Sequence, residues 1–112
     1  LNASTLPVHV GGSSRAAARR AGRRGDGYFH GGRLTAAERA AQIETMRAAA
    51  ADAGRDPDAL EYTRWGSIDM SAADVQAHAS NGTTRLVVGA AALDPRGQRD
   101  EISAFADRLR LR

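Results

Sequence analysis

The sequence predicts an α/β fold made of four consecutive βα units. Three observations carry this. Short runs rich in β-branched and aromatic residues alternate strictly with alanine-rich stretches of helical spacing. Cap and turn residues stand at the junctions. A late apolar run, Leu86-Val87-Val88, is typical of a strand buried on both faces. Strict alternation argues for a parallel sheet with right-handed crossovers. At 112 residues, one domain with a modest core is the natural count. Four βα units are half of an eight-stranded (β/α) barrel, which usually takes about 250 residues. The same pattern suits a small open four-stranded sheet that is complete in itself, and periodicity does not separate the two.

The elements follow in order. Val8, His9 and Val10 alternate as a short strand and lead through Gly11-Gly12-Ser13-Ser14 into an Ala/Arg helix over residues 15–22. Gly27-Tyr28-Phe29 is the second strand, after Gly25-Asp26. Thr35-Ala36-Ala37-Glu38 is a capping box that opens a long helix to about Ala53, stopped by Gly54. On that helix Ile43, Met46 and Ala50 make one apolar stripe. A third strand spans roughly residues 60–67. Ser71 caps a short helix carrying Val75 and Ala79, with Asp74 favoured by the helix dipole and Asn81-Gly82 as its stop. The fourth strand covers residues 85–89. Asp94-Pro95 begins the last helix, lined on one side by Ile102, Phe105, Ala106 and Leu109.

The candidate site is the turn made of Gly11, Gly12, Ser13 and Ser14. A strand, a glycine pair and a helix start are what a backbone anion site requires. Glycines remove the side chains that would hold an oxyanion away from the main chain. The first helical turn offers unpaired N–H groups and the positive end of its dipole. Ser13 or Ser14 caps that turn or adds a hydroxyl donor. Phosphate suits such a cradle, although a Gly-Gly-Ser turn after a strand is also an ordinary tight βα connection.

Taken together, PVHVGGSSRAAARRAGRRGDGYF, the capped helix, AADAGRDPDALEYT and TTRLVVGAA resemble the C-terminal part of luciferase-like monooxygenases, in particular their coenzyme F420-dependent oxidoreductases. The resemblance covers residues 6–109. It implies that the chain is the C-terminal half of a (β/α)8 TIM-type barrel, residues 1–112 forming one part of that domain. It also implies a cofactor at the C-terminal ends of the strands, coenzyme F420 or alternatively FMN. Its phosphate would lie on Gly11, Gly12, Ser13 and Ser14, with Arg15 placed to add a contact or to face solvent. A small-molecule substrate is the partner of the full barrel. Where the family commonly has a proline after the aromatic of the second strand, this chain has His30-Gly31-Gly32. The residues that face the reactive ring belong to the first half of such barrels, so no catalytic residue is assigned here. A chain limited to this half would bind cofactor weakly, and would self-associate or pair with a complementary half-barrel.

Other chemistries find little support. There is no cysteine, hence no disulfide frame, thiolate site or cysteine nucleophile, which fits the cytoplasm. His9, His30 and His78 lack metal-ligand spacing. His9 reads as a satisfied strand histidine, His30 as a solvated loop residue, and Asp26 as a structural group pairing with an arginine or capping a turn. No run is long enough to span a membrane. All 16 basic residues are arginine, and the net charge is +3. Arg15, Arg19, Arg20, Arg23 and Arg24 fan over the face of the first helix opposite the Ala17, Ala18 and Ala21 stripe. That is a solvated face more readily than a nucleic-acid site, since aromatics for base stacking are few.

Overall fold

The computed structural model describes residues 5–111. Strands and helices alternate in the order the sequence predicts: β1 (His9–Gly11), α1 (Arg15–Arg24), β2 (Gly27–Phe29), α2 (Ala36–Asp52), β3 (Glu61–Trp65), α3 (Ala72–Ser80), β4 (Arg85–Val87) and α4 (Pro95–Arg108). A 3-10 turn at Pro57–Ala59 leads into β3. The chain divides into two compact units, Leu1–Arg64 and Trp65–Arg112.

In the first unit the strands pair in parallel, His9 with Gly27 and Val10 with Tyr28, then Tyr28 with Tyr62 and Phe29 with Thr63. One face of this sheet meets the helices. Tyr28, Leu60 and Tyr62 pack there with Ala17, Ala18 and Ala21 of α1 and with Met46 and Ala50 of α2. Val10 and Ile43 flank that cluster, so the predicted Ile43, Met46 and Ala50 stripe faces the core. Side chains alternate across a strand. His9, Gly27 and Glu61 therefore share the other face, where Gly27 leaves room for the His9 ring: a Cβ there would lie 2.8 Å from it.

Several boundaries differ from the sequence reading: β3 covers Glu61–Trp65 rather than 60–67, and β4 covers Arg85–Val87 rather than 85–89. β1 is shifted one residue, to His9–Gly11. α1 runs on to Arg24 rather than stopping at Gly22. Gly22 lies inside the helix, at a close approach of α1 to α2. A Cβ there would lie 2.1 Å from the Met46 carbonyl oxygen and 3.0 Å from Ala49 Cβ. The helix ends instead at Gly25, whose N–H donates to the Ala21 carbonyl at 2.8 Å. Arg55 Nη1 donates to the Gly22 carbonyl at 2.6 Å, using an acceptor left over in that last turn.

Local cap chemistry holds as predicted. Thr35 N–H donates to Glu38 Oε2 at 2.6 Å while Glu38 N–H donates to Thr35 Oγ1 at 3.1 Å. The Thr35 backbone N–H and, behind it, the Thr35 hydroxyl hold the Glu38 carboxyl below its ordinary pKa. Gly54 leaves α2 with φ +73°, a conformation that suits glycine.

The second unit repeats this pattern around a thinner core. Ser71 and Asp74 form a capping box at α3, and the Ser71 N–H and hydroxyl hold the Asp74 carboxyl below its usual pKa. Gly82 follows with φ +88°. Asp94 caps α4, with Pro95 in its first turn. Gly66 N–H donates to the Val87 carbonyl at 2.9 Å, and Arg108 Nε donates to the Met70 carbonyl at 3.1 Å. β4 is not a strand buried on both faces. Arg85 is exposed, while Leu86 and Val87 are half-buried. On α4 only Phe105 of the predicted stripe is buried, and Ile102 is exposed. A strand is buried on both faces only where elements cover both. Within this unit the side chains around β4 leave a cleft of about 330 Å³, lined in part by Val75, Leu86, Val88, Phe105 and Leu109.

Candidate functional site: the glycine turn before the first helix

The turn predicted as an anion cradle lies at the C-terminal end of β1, where Gly11 ends the strand and Arg15 begins α1. Gly12 has φ +120°, a conformation that L side chains rarely adopt, and a Cβ on it would lie 2.9 Å from Ala17 Cβ. Glycine is thus required at 12 for backbone shape and for the close pass over α1. Of the two serines, Ser14 is the cap: its Oγ accepts from Ala17 N–H at 3.1 Å, and its carbonyl accepts from Ala18 N–H at 3.1 Å. Ser13 is exposed and its hydroxyl is not used in the cap. The N–H groups of Ser13, Arg15 and Ala16 have no hydrogen-bond partner among the described residues. These donors stand at the positive end of the α1 dipole.

Two long-range bonds brace the turn from behind. Tyr28, fully buried, donates its hydroxyl hydrogen to the Gly12 carbonyl at 2.7 Å. Burial also raises the Tyr28 pKa, which keeps the hydroxyl a donor. Gln42 Nε2 on α2 donates to the Ser13 carbonyl at 2.8 Å. With the carbonyls of Gly12 and Ser13 engaged on the protein side, the turn is fixed from the sheet and from a second helix. Neither partner is visible as a sequence motif, because each bond joins residues far apart in the chain.

The other residues singled out in the sequence fall as follows. Asp26 is structural: its Oδ2 accepts from Val8 N–H at 2.8 Å, its N–H donates to the Val8 carbonyl at 2.7 Å, and its Oδ1 lies 3.9 Å from Arg55 Nη2. His9 is a satisfied strand histidine, with Nε2 3.2 Å from Glu61 Oε2. His30 is not solvated. It is only 8% exposed, and its ring stacks on Tyr62 with centroids 5.8 Å apart. The Tyr62 face shelters a ring that the loop sequence alone would leave in water. Arg15 is exposed, as are Arg19, Arg20, Arg23 and Arg24, while Ala17, Ala18 and Ala21 are buried. None of these five arginines forms an ion pair with a described residue. No three potential metal ligands come together among the described residues.

The family model for luciferase-like monooxygenases matches residues 2–79. The chain belongs to the luciferase-like monooxygenase family. The match takes in the glycine turn, both bracing residues and nearly all of α3, and the alternating strands and helices of this luciferase-like chain are consistent with a partial TIM-type fold. Among solved structures, a riboflavin lyase determined with modified FMN and its substrate riboflavin is similar to the chain, with 28% identity and a TM-score of 0.46. That match covers 65% of this chain and 17% of the lyase. The comparison with curated proteins gives no match. Among the described residues, no helix of the luciferase-like chain is long and apolar enough to cross a membrane.

Proposed function

We propose that this chain is the C-terminal half of a luciferase-like (β/α)8 oxidoreductase domain, and that Gly11, Gly12, Ser13 and Ser14 bind the phosphate of its cofactor. The cofactor proposed is coenzyme F420, with FMN as the alternative. The observation that supports this reading is the turn itself. Gly12 holds a backbone shape closed to other residues, and free N–H groups stand at a helix N-terminus. A phosphate there takes several charge-assisted hydrogen bonds from groups that are already fixed.

When bound, the deazaflavin or flavin supplies the redox chemistry, by hydride transfer or, for reduced FMN, oxygen activation. What this chain contributes is orientation. Tyr28 and Gln42 hold the turn, and the turn would hold the phosphate end of the cofactor. The reacting ring itself would meet residues of the barrel's other half.

The test is a fluorescence titration of FMN against riboflavin, which differs from it only by the phosphate, with F420 compared to its phosphate-free chromophore. Loss of the phosphate should weaken binding about tenfold or more, since charge-assisted bonds of about 1.5–3 kcal/mol each are at stake. In parallel, Gly12→Val, which strains the backbone at φ +120° and crowds Ala17, should lower affinity for the phosphorylated ligand to that of the phosphate-free one. Equal binding of both ligands, or of both proteins, refutes the assignment.

A further inference from the structure

Between α1 and α2 runs a surface groove of about 370 Å³. One wall is the row Arg15, Arg19 and Arg23 of α1, and the other holds Glu44 and Asp52 of α2, with Ala48 between them. Residues four apart in a helix stand one above the other, about 6 Å apart along the axis, so the two rows share one spacing. No ion pair crosses the groove. None of these five charged side chains is hydrogen-bonded to or ion-paired with a described residue. The rest of the lining is alanine and threonine, small enough for another chain to come close.

The basic row works against the helix that carries it. α1 contains no acidic residue. Arg15 with Arg19, Arg19 with Arg23, and Arg20 with Arg24 are like charges four apart, which destabilise a helix. Arg15 also stands at the positive end of the dipole, and only Arg23 and Arg24, in the last turn, gain from it. Glu44 and Asp52 stand opposite, beyond ion-pair distance, and do not neutralise the row. Sequence that opposes its own element is expected where function, rather than stability, sets the residues.

We propose that this groove docks a helix of a partner protein, one that turns an acidic row toward Arg15, Arg19 and Arg23 and a basic row toward Glu44 and Asp52. Charge complementarity selects this occupant. A helix repeats its side chains at the spacing of both walls, so acid at every fourth position meets the arginines in register. A nucleic-acid strand carries charge of one sign, which the acidic wall repels. A membrane surface calls for large apolar anchors beside the basic residues, and none lines the groove. Exposed ion pairs are individually weak and screened by salt, so docking here is reversible and fixes the orientation of the partner. The proposal is independent of the cofactor assigned to the glycine turn.

Fluorescence anisotropy at low salt tests this with a labelled, alanine-based helical peptide of about four turns, Glu standing at every fourth position on one row and Lys on the adjacent row. A peptide of the same residues in shuffled order is the control, and circular dichroism confirms that both peptides are helical and each protein variant folded. The patterned peptide should bind about tenfold more tightly than the shuffled one, the sum of several exposed ion pairs. Arg19→Gln with Arg23→Gln should remove that preference. Glu44→Gln with Asp52→Gln should also weaken binding, by about threefold or more, because both walls take part. Arg20→Gln with Arg24→Gln, outside the groove, should leave it within about twofold. Stronger binding after loss of the two acids would show a plain cationic surface and overturn the proposal. Equal binding of the two peptides, or no binding, overturns it as well. Tighter binding of a short oligothymidylate than of the patterned peptide also overturns it and assigns the arginines to nucleic acid.

Discussion

Replacing Tyr28 with phenylalanine isolates one oxygen atom and asks what it does for the glycine turn. Tyr28 is fully buried, and its ring lies 5.9 Å from that of Tyr62. Phenylalanine keeps the ring and its packing and removes only the hydroxyl that donates to the Gly12 carbonyl at 2.7 Å. A neutral hydrogen bond of this kind contributes about 0.5–1.5 kcal/mol net. For a unit of this size, that corresponds to a fall in Tm of about 4–8 °C for each kcal/mol. The second consequence is local. Gly12 sits at φ +120°, and the Tyr28 hydroxyl is what ties its carbonyl to the sheet. Freed, the peptide rotates among other glycine conformations and the N–H groups at the helix start are no longer held in register. An ordering cost of about 1 kcal/mol then appears in binding, a loss of about fivefold in phosphate or FMN affinity. Differential scanning calorimetry and a ligand titration measure the two effects on the same sample. A variant with unchanged Tm and unchanged affinity would show that the hydroxyl does not brace the turn.

The remaining predictions concern packing, acid and charge. Gly22→Ala places a Cβ 2.1 Å from the Met46 carbonyl oxygen, a backbone atom that cannot yield without moving α2. Overpacking of about 1–3 kcal/mol outweighs a helix-propensity gain of about 0.5–1 kcal/mol, so urea denaturation should show a less stable protein, and a neutral or stabilising result would contradict the helix contact. The folded-state pKa of His30 is depressed from 6.5, chiefly by burial. Above that value both states carry it neutral; below it the unfolded chain takes up a proton that the folded chain refuses, so stability declines as pH falls from 6.5. His30→Gln should flatten that part of the stability curve, and an identical curve would show that His30 is not the group responsible. Replacing Arg19, Arg20 and Arg23 by glutamine should leave cofactor affinity within about twofold, as expected of exposed side chains with little bearing on binding. A large loss in a folded variant would mean that this face touches the ligand.

What was legible in the sequence is what neighbouring residues decide. Thr35 with Glu38, Ser71 with Asp74, and Asp94 with Pro95 each satisfy helix N–H groups within one turn, so the residue types alone locate the helix starts. The glycine turn was legible for the same reason. The end of α1 falls two residues beyond the expected Gly22 because that glycine serves a close helix contact, which only the position of Met46 reveals. His30 was misread because its shelter is the Tyr62 ring, more than thirty residues away. The apolar run at Leu86 reads as a doubly buried strand only where something covers both faces, which local sequence does not report. The Tyr28 and Gln42 braces join residues 16 and 29 positions apart, so no spacing rule reveals them. The barrel reading came from the combination of weak motifs in order, and the family match over residues 2–79 bears out that part.

The measurement closest to the central claim is a phosphate titration of the ¹⁵N-labelled chain followed by amide chemical shifts. A phosphate held by the turn should move the amides of Gly12, Ser13, Ser14, Arg15 and Ala16 most, saturating with one common dissociation constant, and Gly12→Val should abolish those shifts. Shifts confined to the arginine face around Arg19, Arg20, Arg23 and Arg24, or no shifts at residues 12–16, would contradict it.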